Sequence, residues 1–285
     1  MQQVRATYKV RDSWWTVLLV DPIAGRLVQL AAGHRWLTPN RLTVAAFLLG
    51  LGAAGAFLLG TPGWLVTGVV LYHLGFILDC ADGKVARLTG TGSVLGGWLD
   101  FFLDRIRVII CMVALTTGQY LATDRVSFLF LATGLVFLAL FGYVNGAETD
   151  KARAALASPR TDDEALLDAA GRPGALTSRV RAALHRRRIR LNLVSGIEFE
   201  MAVLIVAPLL MALTGPGALL WVAAAAAALL IGFELALLAR FWLAARAARR
   251  TTPFVAAQSG PVAAQSGPVA AEGGSVTAEA TEALR

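Results

Sequence analysis

The sequence predicts an all-α integral membrane protein with six transmembrane helices, preceded by an N-terminal amphipathic interfacial helix. Three observations predict it. The 285-residue chain is 56% hydrophobic and 16% charged, whereas soluble domains average about 25% charged. Its apolar residues gather near Leu42 to Leu59, Gly63 to Leu78, Leu95 to Tyr120, Val126 to Ala147, Leu193 to Leu213 and Ala218 to Ala245. A span needs about 20 mostly apolar residues to cross roughly 30 Å of hydrocarbon. Finally, nearly all the Lys and Arg residues behind the net charge of +7 fall before the first stretch, between the second and third, in the 148–192 connection and after the sixth, with Arg125 the one in a loop expected outside. By the positive-inside rule both termini face the cytoplasm, and the turns near 61–64, 116–124 and 214–217 face out. The membrane expected to hold this multi-pass chain is the plasma membrane.

The N-terminus MQQVRATYKVRDSWW has no short apolar core followed by a small-residue cleavage site, so the first span is expected to carry the chain into the membrane. Between Arg11 and Trp36, Trp14, Trp15, Leu18, Leu19, Ile23, Leu27, Leu30 and Ala31 recur at mostly helical spacing, with Asp12, Asp21, Arg26 and Gln29 between them. This pattern suits a helix lying in the interface, or packed on the bundle, or both. Pro39 then pushes Thr38 out of helical geometry, and Asn40 is placed to cap the first span. Residues 1–37 thus precede a membrane domain over 38–250. The 148–192 loop, which ends in RVRAALHRRRIR, suits topology and anionic headgroups, with phosphate binding by one or two of its arginines as the alternative. Residues 251–285 repeat QSGPVAA and have no apolar face, so they read as a disordered tail.

Basic residues that flank apolar spans argue against a nucleic-acid partner. Cys80 and Cys111 stand in apolar context without CxxC spacing or a His cluster, which suits packing.

The chemistry concentrates in LDCADGKVARLTGTGSVLGGWLDFFLDR, Leu78 to Arg105. Asp79 and Asp82 are three residues apart and Asp100 and Asp104 four apart, so on helices each pair projects from one face. If the segment LTGTGSVL folds back, the pairs meet at the cytoplasmic surface. Carboxylates so placed repel one another unless cations sit among them. Mg²⁺ or Mn²⁺, which take oxygen ligands, are the natural occupants. Gly83, Gly90, Gly92, Gly96 and Gly97 leave room for close approach of a ligand, and Arg87 offers a forked donor for phosphate.

Written out, the pattern is Asp79-x2-Asp82-Gly83-x2-Ala86-Arg87-x8-Gly96-x3-Asp100-x3-Asp104. It resembles the signature of the CDP-alcohol phosphotransferases (CDP-alcohol phosphatidyltransferases) at every fixed position, and the resemblance extends over residues 38 to 245. That resemblance implies two divalent ions and transfer of a phosphate-linked group from a CDP-linked donor to an acceptor hydroxyl, releasing CMP. Asp79 resembles a ligand shared by both metals, Asp82 a ligand of one, and Asp100 a second shared ligand. Asp104 resembles the general base and an additional metal contact. Gly83, Arg87, Ser93 and Gly96 match the region around the CDP moiety, and Pro39, Asn40, Arg41 and Leu42 match a segment that closes over it. A lipid donor, CDP-diacylglycerol, is expected, with a small polar or phosphorylated alcohol as acceptor, membrane lipids as surroundings, and a homodimer as an allowed assembly.

Some members carry Ser-Tyr-x-Arg-Ala at the end of span four, where this chain has Gly142-Tyr143-Val144-Asn145-Gly146. The absent Arg leaves Lys151, Arg153 or the 179–190 arginines as candidates to grip a phosphorylated acceptor. The prelude YKVRDSWW…LTPN also resembles members that transfer phospho-inositol from CDP-inositol to an inositol phosphate. Glu198, Glu200 and Glu234, as ionisable groups in spans, are functional candidates or partners of Arg107 or Arg190. His73 suits helix packing. A divalent-cation transporter would explain the acids but not Gly83, Ala86, Arg87 and Gly96, nor acids confined to one end.

Overall fold

Prolines and capping residues set where the long helices begin. In the computed structural model, which describes residues 2–34, 36–155, 183–190 and 194–251, α3 (Pro39–Leu59) and α4 (Pro62–Thr89) both carry proline in the first turn. There the missing N–H is not needed and φ is already helical. Thr38 therefore takes the N-cap position of α3, in extended geometry, and Asn40 lies inside the helix instead of capping it. Gly60, at φ 69°, ends α3, and Gly90, at φ 66°, ends α4. Ser93 caps α5 (Val94–Thr123) by accepting from the Gly96 N–H. The helices α6 (Ser127–Ala155), α7 (Gly196–Thr214) and α8 (Gly217–Thr251) complete the bundle.

Short turns make α3, α4, α5 and α6 alternate in direction, and likewise α7 and α8, while α6 contacts the first turns of α7. Hence the start of α3, the end of α4, the start of α5, the end of α6 and the start of α7 share one end of the bundle. Five of these helices, α3, α4, α6, α7 and α8, are long and apolar enough to cross a bilayer. The sixth, α5, has 30 residues, about 45 Å at 1.5 Å per residue. Its charged residues, Asp100, Asp104, Arg105 and Arg107, all lie in the first half. No strand occurs among the described residues, and the molecule is a multi-pass, all-α membrane protein.

Small residues bring α3, α4 and α5 together. A Cβ on Gly118 would lie 2.4 Å from the Phe57 carbonyl oxygen and 2.7 Å from that of Leu58, and one on Gly75 would lie 2.9 Å from the Ala46 carbonyl oxygen. Without a hydrophobic drive between helices in lipid, such close backbone contact is a main source of association. Around it pack Phe57, Tyr72, Met112 and Leu115, all fully buried.

The expected helix within 11–36 runs from Trp14 to Ala32, with a π-helical turn over Thr16–Val20 leading without a break into α2 (Asp21–Ala32), and a short α1 (Gln2–Ala6) precedes it. Pro22 supplies the reason for the π turn: it has no N–H for the Leu18 carbonyl, and the wider turn absorbs the mismatch. Pro208 stands in the same relation to the π turn Ala202–Val206 inside α7. Along the π turn and α2, Val20, Ala24, Val28 and Ala31 are buried, α2 packing on α4, while Leu18, Leu19, Ile23 and Leu30 are exposed. Packing and interfacial exposure thus occupy different faces of one helix. The greater part of the 148–192 loop and the tail beyond residue 251 lie outside the described residues.

Replacing Gly118 by Ala should cost about 1–3 kcal/mol, because two backbone carbonyls would have to move. Gly55, with open space around its Cβ position, should accept Ala with no loss, or with the gain of up to about 1 kcal/mol that Ala brings to a helix. Thermal unfolding of the purified variants in detergent checks the contrast.

Candidate functional site

The turn between α4 and α5 builds the site. Gly90 adopts left-handed geometry, the Thr91 N–H donates to the Ala86 carbonyl at 3.2 Å, and the hydroxyls of Thr89 and Thr91 lie 2.7 Å apart. The chain then re-enters a helix at Val94 with Ser93 as its cap. This hairpin brings Asp79 and Asp82 of α4 to Asp100 of α5. One carboxylate oxygen from each lies within 4.8 Å of the others. Two unit charges about 4 Å apart repel by about 4 kcal/mol at an effective dielectric of about 20. Within ion-pair distance the described residues offer this trio one cation, Arg107, whose Nη2 is 3.9 Å from Asp79. The donor set is therefore short of positive charge and made only of carboxylate oxygen, which fits a hard divalent ion.

Asp104, one turn further along α5, stands apart from the trio. Its Oδ1 accepts a short hydrogen bond from Arg107 Nη2, and its Oδ2 lies 2.9 Å from Arg105 Nη1. Two guanidinium groups thus aim this carboxylate, and each oxygen keeps a further lone pair for another donor. Arg107 is 1% exposed. The slot for it exists because Gly50 and Gly75 lack side chains: a Cβ at Gly50 would fall 2.3 Å from Arg107 Cγ, and one at Gly75 would fall 3.3 Å from Nη1.

The other residues singled out by the signature gather around this end. Asn40 Oδ1 would lie 3.0 Å from a Cβ on Gly96, as would Ser93 Oγ, so the start of α3 meets the start of α5 at Gly96. Pro39 leads into this contact, Arg41 donates to the Trp36 carbonyl at 2.9 Å, and Leu42 is in the apolar core. Arg87 lies beside Gly83, and its Nε donates to the Thr7 carbonyl at 2.8 Å, which ties the N-terminal segment to α4. An open groove of about 350 Å³, lined by Asn40, Arg41, Val44, Ala45 and Leu48, runs along α3.

Two features escaped the sequence reading. Buried Thr43 donates a hydrogen bond to Asp82 Oδ2, and its hydroxyl lies 3.1 Å from the Pro39 carbonyl oxygen. Its place four residues after Pro39, on the helix that opens over the site, was the available signal. Lys84, 5% exposed, lies 3.1 Å from Asp21 and donates to the Cys80 carbonyl. Arg188 also reaches Asp21 at 3.1 Å and stands over the Tyr8 ring at 4.6 Å. Burial, and then the Asp21 carboxylate, push the Tyr8 phenol up, so it stays protonated and donates to the Asp21 carbonyl. The Asp12 and Ile189 backbones pair beside this cluster. Nothing before residue 21 predicted a docking of the N-terminus on the 183–190 segment.

The intramembrane acids divide into separate roles. Glu198 accepts a short hydrogen bond from Ser195, three residues before it at the N-cap, a variant of the capping box. Glu234 accepts one from Asn145, joining α8 to α6. Glu200 pairs with Arg105 at 3.6 Å, so neither Arg107 nor Arg190 is its ion-pair partner. His73 stacks edge-on against Trp15, as a packing residue would. Lys151 is bonded to Glu148 on the surface. Both cysteines are free.

Thr43→Val keeps the shape and removes the hydroxyl that orients Asp82. Loss of such a ligand-orienting partner weakens metal binding by about 10- to 100-fold. Calorimetric titration with Mg²⁺ should show a loss of that order for Thr43→Val and near-wild-type affinity for Thr43→Ser.

Known proteins share this region. Residues 36–157 match the family model for CDP-alcohol phosphatidyltransferase. An archaetidylinositol phosphate synthase of Pyrococcus horikoshii is 37% identical over 33% of this chain and 48% of its own length. A phosphatidylinositol phosphate synthase of Corynebacterium glutamicum is 37% identical over 31% of this chain and 37% of its own. A bifunctional IPC transferase and DIPP synthase of Thermococcus kodakarensis is 46% identical over 24% and 15%. The matched segment spans about half, or less, of the length of these relatives. The family-model match, residues 36–157, takes in the whole Asp79 to Asp104 pattern, α3 with Thr43, and the α4–α5 hairpin that gathers the carboxylates, so it is this segment that is similar to the CDP-alcohol phosphatidyltransferases.

Proposed function

We propose that the chain transfers a phosphatidyl-type group from a CDP-linked lipid, CDP-diacylglycerol or a close analogue, to a hydroxyl of a phosphorylated inositol, releasing CMP. The convergence of Asp79, Asp82 and Asp100 within 4.8 Å carries the reading. The relatives named as synthases of inositol phosphate lipids support the acceptor. The open groove along α3, with exposed Val44 and Leu48 on it, supports a lipid donor.

Asp79, Asp82 and Asp100 would hold Mg²⁺ or Mn²⁺, as a pair of ions, with Asp104 adjoining. Such ions would draw charge from the donor pyrophosphate and stabilise the departing CMP. The chain's own part is positioning and proton transfer. Asp104, aimed by Arg105 and Arg107, takes the proton of the acceptor hydroxyl as its oxygen bonds to the lipid-side phosphorus. The bond from that phosphorus to the bridging oxygen breaks, and CMP carries the oxygen away. A positioned base of this kind contributes about 10²- to 10⁴-fold. Asn40 beside Gly96, and Arg87 beside Gly83, would flank the nucleotide. The site end is assigned to the cytoplasmic face of the plasma membrane, where CDP-linked substrates and the basic flanking residues belong.

A second reading keeps the chemistry and changes the donor, to a CDP-linked polar alcohol such as CDP-inositol acting on an inositol phosphate. The 46% identity to the Thermococcus protein favours keeping it.

Purified chain with Mg²⁺, CDP-diacylglycerol and inositol phosphate should release CMP, and chelation should abolish the release. Asp104→Asn should lower turnover by about 10²- to 10⁴-fold while metal binding persists. Release with CDP-inositol alone would select the second reading, and no CMP from either donor would overturn both.

A further inference from the structure

Arg105 is held in an unusual way. Its guanidinium lies flat on the Tyr143 ring, with Cζ 3.3 Å from the ring centroid, and Phe101 stands on it at 5.2 Å. One terminal nitrogen, Nη1, serves both carboxylates nearby, Asp104 at 2.9 Å and Glu200 at 3.6 Å. On the other edge, Nε is buried and has no hydrogen-bond partner among the described residues, and neither has the Tyr143 hydroxyl. A buried unpaired donor is costly, about 1–3 kcal/mol. An anion bound at the Nε edge would give that nitrogen an acceptor. The Arg105 side chain as a whole is 25% exposed, although Nε itself is covered, while that of Glu200 is 4% exposed.

The elements around it fix its direction. Arg105 follows Asp104 on α5, Tyr143 comes from the end of α6, and Glu200 from the first turns of α7. Asn145, two residues beyond Tyr143, is bonded to Glu234 of α8, which holds the end of α6 in place. The aromatic ring and Glu200 together leave the guanidinium little freedom to turn.

We propose that Arg105, clamped on Tyr143 and anchored through Nη1 to Glu200, is the residue that reads the phosphate of the acceptor. A phosphomonoester suits the planar Nε–Nη2 edge because two of its oxygens can accept parallel hydrogen bonds. Asp104 sits at the opposite edge of the same guanidinium. An acceptor would therefore place its hydroxyl on the base and its phosphate on the far side of one rigid group. This assigns to α5 the grip that the Gly142–Gly146 segment lacks for want of an arginine. The inference rests on the transfer reaction proposed above.

Two measurements on the full chain test it. Calorimetric titration of metal-free protein with inositol phosphate should give at least tenfold weaker binding for Arg105→Lys, whose ammonium has no fork. Tyr143→Leu, which removes the stack and keeps the Glu200 pair, should weaken it similarly. In turnover, both variants should raise the acceptor KM by at least tenfold, leave the donor KM within about twofold, and lose preference for inositol phosphate over inositol. Thermal unfolding identifies a variant that fails to fold, and the other then decides. Unchanged binding and acceptor KM in the folded variants would overturn the inference and leave Arg105 as a tie between α5 and α7. Absence of CMP release from the wild type would overturn the reaction, while the binding titration would still decide Arg105.

Discussion

Three carboxylates within 4.8 Å of one another, at the junction of two membrane helices, set the constraint around which the rest of the molecule is built. Their repulsion disfavours the α4–α5 hairpin, and the surrounding structure offsets it. Thr43 gives Asp82 a hydrogen bond, Arg107 lies between Asp79 and Asp104, and close packing of α3 on α4 and α5 holds both donors in place. Gly50 and Gly75 belong to this arrangement as much as the aspartates do, because a side chain at either would displace the Arg107 guanidinium. A divalent ion among the carboxylates would complete the balance of charge.

Much of this was legible in the residues. The six apolar stretches located the starts of the long helices within about three residues, since length and hydropathy dominate in a bilayer, where every backbone group must be satisfied within the segment. By contrast, α4, α6 and α8 run on past their apolar stretches into polar sequence. Spacing of three and four residues put each aspartate pair on one face, and the glycines between Arg87 and Leu95 announced the turn. What stayed hidden depends on contacts across helices. Thr43 and Arg107 look ordinary in sequence, and their importance comes from α3 and α5 meeting α4. Asn40 looked like a cap, but Pro39 starts the helix one residue earlier. Ser93, matched to a nucleotide contact, also has the local duty of capping α5. Asp104 shared a face with Asp100 by spacing, but the sequence did not show that Arg105 and Arg107 pair with it, Arg107 also reaching Asp79.

The N-terminal segment shows the same dependence on non-local contacts. Periodicity found the amphipathic helix, which runs from Trp14 to Ala32, but not the π turn ahead of Pro22, the short α1 or the pairing of Asp12 with Ile189. This segment holds Lys84 and Arg87 by way of Asp21 and Thr7, so two cations of the signature helix are anchored from outside the bundle. Arg188, from the basic segment, joins them through Tyr8 and Asp21. The arginines of the basic segment thus include one with specific structural partners.

The central claim is that Asp79, Asp82 and Asp100 together hold divalent metal. Paramagnetic resonance of Mn²⁺ added to purified wild-type chain, and to Asp79→Asn, Asp82→Asn and Asp100→Asn, tests it most directly. The account predicts bound Mn²⁺ in the wild type and affinity lowered at least tenfold in each variant. Wild-type affinity in all three folded variants would contradict it.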